Sequence, residues 1–137
     1  LVGNKIEAKT FLEKALIDDN NNTDAINKLA YINADMELYE DALQWYFKSI
    51  EIDASNDITY NALGSLYRKL GRFKEAKEHY FEALRIDNTY AVTHFNYGNL
   101  LVDMGEIEKA SDEYRQAITL DPEFREAKDA LKELRRV

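Results

Sequence analysis

Two histidines, His79 and His94, are the only imidazoles in this 137-residue chain, and it has no cysteine. A helical zinc site would need a second His or Cys three or four positions away. These two stand 15 apart and are expected in the core or at the edge of a groove, not as ligands. Thiolate chemistry and disulfides are unavailable, and the lack of cysteine leaves the compartment open. Ser49, Ser55, Ser65 and Ser111 lack the sharp turn or adjacent base that activates a serine nucleophile. The five glycines form no phosphate-cradling loop. The run Asp18–Thr23, DDNNNT, has oxygen ligands at alternate places. Thr23 stands where a calcium loop needs glycine, however, and Leu29 where it needs its closing glutamate, so a polar capping turn is expected. Asn21-Asn22-Thr23 is also a glycosylation sequon, which carries meaning only in a secreted chain. The residues point to no enzyme, no cofactor and no metal.

Composition sets further bounds. A net charge of −8 opposes binding to a phosphate backbone, so no nucleic-acid partner is expected. No run approaches the roughly 18 apolar residues of a membrane span, so no membrane insertion is expected. Most of the nine tyrosines recur at packing positions and are expected in the core, not in an aromatic cage.

The elements that position these residues follow a period of 34. Ala8, Ala42, Ala76 and Ala110 obey it, as do Tyr46, Tyr80 and Tyr114, and Asp19, Asp53, Asp87 and Asp121. A fixed repeat of this length signals stacked supersecondary units that bury their apolar faces on one another. Within residues 57–90, Tyr60, Leu63, Leu66, Tyr67 and Leu70 make one helical stripe, and Phe73, Ala76, Tyr80, Ala83 and Leu84 a second. Asn56 or Asp57 caps the first helix, and Gly71 ends it. Gly64, with Ala30 and Gly98 one period either side, leaves room for a close neighbour. In the links after the second helices, Asp53, Asp87 and Asp121 or the residues that follow them are expected to cap the next helix.

Leu63-Gly64, Tyr67, Gly71, Ala76, Tyr80 and Ala83 resemble the small-and-large pattern of the tetratricopeptide repeat. The resemblance continues through Gly98, Gly105, Ala110, Tyr114, Ala117 and Pro122, and earlier through Leu29, Ala30, Ala42, Tyr46 and Asp53. It implies an all-α fold, a right-handed superhelical solenoid of about eight helices in antiparallel pairs, with first helices lining a concave groove. The expected organisation is one domain over 1–137: a partial repeat at 1–22 holding only a second helix, repeats at 23–56, 57–90 and 91–124, and a capping helix at 125–137. Three departures stand out: Glu37 replaces the turn glycine, Asn33 puts an amide in a core place, and His94 replaces an aromatic. The repeat at 23–56 is the least ideal and is expected to fray first. Because the chain begins at Leu1, halfway through a repeat, a piece of a longer protein is expected.

Counting three, four, three along each first helix gives its outward stripe. The candidate peptide-binding residues are Asn27, Tyr31, Ile58, Asn61, Ser65, Arg68, Val92, Phe95, Asn96 and Asn99. The stripe continues through Glu126, Asp129, Glu133 and Arg136. Asparagine amides can donate to and accept from a peptide backbone at once, while apolar neighbours take alternate side chains. A protein or peptide partner is therefore expected. The carboxylate clamp of chaperone adaptors in this family needs lysine and arginine at places where this chain has Asn27 with Tyr31, Asn61 with Ser65, and Asn96, so an acidic C-terminal peptide is not supported. Two alternatives remain: a substrate-selecting arm of a larger enzyme, such as a glycosyltransferase with an asparagine ladder, and a self-assembly scaffold. Self-association would use the N-terminal helix, where Ile6, Phe11, Leu12, Ala15 and Leu16 lack a covering first helix.

Overall fold

The computed structural model describes residues 2–135. Arg136, the last member of the expected stripe, lies outside them, as do Leu1 and Val137. Among the described residues there are eight helices: α1 (Val2–Asp18), α2 (Thr23–Asp35), α3 (Tyr39–Ile52), α4 (Asp57–Lys69), α5 (Phe73–Ile86), α6 (Ala91–Asp103), α7 (Ile107–Leu120) and α8 (Arg125–Arg135). The fold is all-α, and short links join consecutive helices as antiparallel pairs. None of these helices is long and apolar enough to cross a membrane. The chain divides into two compact units, Leu1–Thr59 and Tyr60–Val137, with the division falling inside α4.

In the first unit, α2 packs on α1 and on α3. Its core holds Ala25, Ile26, Leu29, Ala30, Ala42, Leu43 and Tyr46. Asn22 caps α2, its Oδ1 accepting from the Ala25 N–H at 3.1 Å, so part of the supposed calcium run serves as a helix cap. Nothing in α1 is buried; Phe11 is 72% and Ile17 82% exposed.

In the second unit the core holds Leu63, Leu66 and Tyr67 of α4, Ala76, Tyr80 and Ala83 of α5, Leu100 and Leu101 of α6, Tyr114 of α7 and Leu131 of α8. The glycines here are needed for close approach. A Cβ on Gly64 would stand 2.7 Å from the Tyr80 ring, and one on Gly98 2.6 Å from the Tyr114 ring. Large facing small is thus realised twice, one period apart.

The turn after each first helix is the same Schellman motif. Leu38, Arg72 and Glu106 donate their N–H groups to the carbonyls of Asn33, Tyr67 and Leu101. The motif needs a left-handed residue. Gly71 and Gly105 supply it with φ of 76° and 78°, and Glu37 is drawn into the same region at 63°.

In the links the aspartates make turns, and at α4 it is a following residue that caps. Asp53, Asp87 and Asp121 accept from the N–H two residues on (Ser55, Thr89 and Glu123), and so tighten the link instead of capping the next helix. Asn56 caps α4, accepting from the Ile58 and Thr59 N–H groups, while Tyr90 at the start of α6 offers no side-chain cap.

Candidate peptide-binding face

One register position carries the histidine chemistry. In the first repeat of the second unit, Tyr60 stacks on His79 with centroids 6.2 Å apart. One period later the same pair is His94 and Glu113, joined at 2.7 Å from Nδ1 to Oε2. His94 Nε2 also contacts the Asn88 carbonyl at 2.8 Å. Two acceptors on two ring nitrogens favour the imidazolium, and these bonds raise the His94 pKa above its usual 6.5 despite burial. His94 therefore pins the α5–α6 link to α7 and is a structural residue. His79 lies between Tyr60 and Tyr67, its Nδ1 2.7 Å from the Glu75 carbonyl. Among the described residues no cluster of three His, Asp or Glu side chains could hold a metal.

In the first unit, the Asn27 amide donates to Thr59 Oγ1 at 3.1 Å, and Thr59 Oγ1 lies 3.4 Å from Ser49 Oγ. Asn27 Oδ1 is buried without a partner. Tyr31 is 66% exposed and Ile58 47% exposed. Sequence reasoning missed Thr59 because its stripe lies one position round the helix from the counted one.

In the second unit, α4 and α6 present the remaining candidates. Asn96 Nδ2 donates to Asn61 Oδ1 at 3.1 Å, a side-chain amide bond between the two first helices. Asn61 Nδ2 and Asn96 Oδ1 make no hydrogen bond among the described residues, and neither is sealed from solvent. Ser65 and Asn99, one period apart, each meet a tyrosine hydroxyl of the following helix: Ser65 Oγ lies 2.8 Å from the Tyr80 hydroxyl, and Asn99 Oδ1 accepts from Tyr114 at 2.7 Å. Arg68 Nε donates to Asp103 Oδ2 at 2.6 Å. Ser65, Arg68, Lys69 and Asp103 line an open hollow of about 430 Å³.

Two candidates are less open than helical register alone predicts. Asn61 is only 9% exposed, drawn in by its bond to Asn96. Phe95 is half-buried because its ring packs on Tyr114 and Phe124, at 5.8 and 5.0 Å between centroids. Val92, Asn96 and Asn99 are partly exposed. The stripe therefore holds together as an amide pair flanked by tyrosine-tethered polar residues and a neutralised arginine, with Phe95 belonging largely to the packing beneath it. Burial pushes the Tyr80 and Tyr97 hydroxyls up to about 12, so both stay neutral hydrogen-bonding groups.

Among solved structures, the chain is similar to a crystal structure of MamA, with 26% identity, 96% of this chain and 77% of that one covered, and a TM-score of 0.84. It is also similar in fold to the first tetratricopeptide domain of Spaghetti (RPAP3) bound to the HSP90 peptide SRMEEVD, at 19% identity, 86% and 94% coverage and a TM-score of 0.80. The Arabidopsis OM64 tetratricopeptide domain matches at 20% identity, 83% and 94% coverage and a TM-score of 0.79. No curated protein matches the sequence. The tetratricopeptide repeat pattern itself matches over residues 22–89 and 58–123. With its repeated glycine–tyrosine contacts and Schellman turns, this chain belongs to the tetratricopeptide repeat family.

Proposed function

We propose that the chain is a non-catalytic protein-interaction module that takes a peptide segment of a partner against its first helices. In the second unit the binding face is Asn61, Ser65 and Arg68 of α4 with Val92, Asn96 and Asn99 of α6; in the first unit Asn27, Tyr31 and Ile58 hold the equivalent places. The observation that carries this reading is the Asn61–Asn96 amide pair. It leaves the Asn61 amide nitrogen and the Asn96 amide oxygen unused, a donor group and an acceptor that complement a peptide unit's own carbonyl and N–H. The RPAP3 domain, of the same fold, holds a peptide. Phe95 contributes by supporting α6 from below.

The test uses peptides selected from a random display library on the purified protein. Asn61→Ala with Asn96→Ala should weaken their binding by about tenfold or more, the effect of one or two lost hydrogen bonds in a shielded site, with helicity by circular dichroism unchanged. Unchanged affinity in a folded variant would place the binding site elsewhere.

A further inference from the structure

The first unit leaves one helix face uncovered. α1 has the register of a second helix: Ala8, Phe11 and Leu12 stand one period before Ala42, Trp45 and Tyr46 of α3. At the alanine place, Ala42, Ala76 and Ala110 are fully buried, and at the place of Leu12 the tyrosines of α3, α5 and α7 are at most 6% exposed. In α1 the same places are open. Ala8 is exposed, Phe11 lies largely in solvent and Leu12 is only partly covered, although α2 packs on the helix.

The later repeats show what belongs there. Tyr80 and Tyr114, at the place of Leu12, lie against Gly64 and Gly98 of the preceding first helix. The residue four before each glycine meets the place of Phe11: Tyr60 stacks on His79, and His94 bonds to Glu113. The closely packed helix pairs among the described residues each join a first helix to a second: α2 with α1 and α3, α6 with α5 and α7, and α8 with α7. The last helix shows how an end meant for water is made. α8 has first-helix register, yet it carries exposed Lys128 and Lys132 at the places of Tyr60 and Gly64, the polar outer face that a terminal solenoid helix needs. α1 has apolar residues instead.

We propose that α1 is a second interaction surface and docks an amphipathic helix of a partner protein, which takes the place of a first helix. That helix carries glycine or alanine over Leu12 and, one turn earlier, an aromatic or aliphatic side chain over Phe11. It extends by one member the alternation already present from α1 to α3. A second copy of this chain does not supply it. Its α8 would drive Lys132 into Leu12, and its α1 would offer Leu12 where a small residue is required.

The test titrates a fluorescent peptide of residues 57–71, a first helix with Tyr60 and Gly64 in place, into the purified protein, followed by anisotropy and circular dichroism. Saturable binding with a gain in helicity is expected. Phe11→Glu installs the residue type that α7 carries there as Glu113, and it should weaken binding about tenfold or more with the protein's own helicity unchanged. Gly64→Leu in the peptide should do the same, by forcing a large side chain onto Leu12. Asn61→Ala with Asn96→Ala in the protein should change affinity less than about twofold, which separates this face from the one on α4 and α6. No binding, or binding indifferent to Phe11→Glu, would overturn the proposal. Self-association in sedimentation that Phe11→Glu abolishes, without peptide binding, would give the face to a second copy and overturn it too.

Discussion

Gly64→Ala isolates the contact that sets how closely α4 and α5 approach. The new methyl would stand 2.7–2.8 Å from three atoms of the Tyr80 ring, against the roughly 3.5–4.0 Å of ordinary carbon contact. Tyr80 is fully buried and its hydroxyl is held by Ser65, so the ring can yield only by straining that bond or spreading the helices. Overpacking costs about 1–3 kcal/mol, and breaking the Ser65–Tyr80 bond adds about 1 kcal/mol. The better helix propensity of alanine returns about 1 kcal/mol. The expected net loss is about 1–3 kcal/mol. Urea denaturation followed by circular dichroism measures it. A double-mutant cycle with Tyr80→Leu assigns it, since Gly64→Ala should be nearly harmless once the ring is gone. A neutral or stabilising Gly64→Ala, or one additive with Tyr80→Leu, would refute the close-approach argument.

Glu37→Gly should stabilise the protein by about 1 kcal/mol, because the Schellman turn holds Glu37 at a φ of 63° that suits glycine better; an unchanged urea midpoint would contradict this. Asn33→Leu should also stabilise, by about 1–2 kcal/mol: the buried amide donates to the Leu29 carbonyl, but its Oδ1 has no partner, and leucine already fills the corresponding place at Leu101. A loss of stability there would mean that the amide holds something the contacts do not reveal. His94 has a folded pKa above 6.5, so its stabilising effect is fully present below that value and fades as pH rises through the folded one. The stability gap between the wild-type protein and His94→Gln should therefore be wider at pH 6 than at pH 9, and a gap independent of pH would rule out the imidazolium bridge.

The period of 34 was legible because packing residues must repeat where helices of equal length nest. Gly64, Gly98, Tyr80 and Tyr114 carry that pattern, and the ring-on-glycine contacts follow from it. The strain at Glu37 could be read in the same way, from one missing glycine in an otherwise regular turn. The face was harder to read. Register shows which side of a helix a residue occupies, but not which bond draws it inward, so Asn61 and Phe95 were expected to be more open than they are. Whether the aspartate or a later residue of each link would cap could not be told apart by type, because an Asx turn and a helix cap use the same residues; the aspartates took the turn and Asn56 the cap of α4.

The most direct measurement is a heteronuclear NMR titration with a selected peptide, following the side-chain amide signals of Asn61 and Asn96 together with the backbone. Peptide binding against the first helices predicts that both amide pairs shift, with the largest backbone changes on α4 and α6. Changes confined to α5 and α7, or to the exposed face of α1, with both amide pairs unmoved, would contradict it.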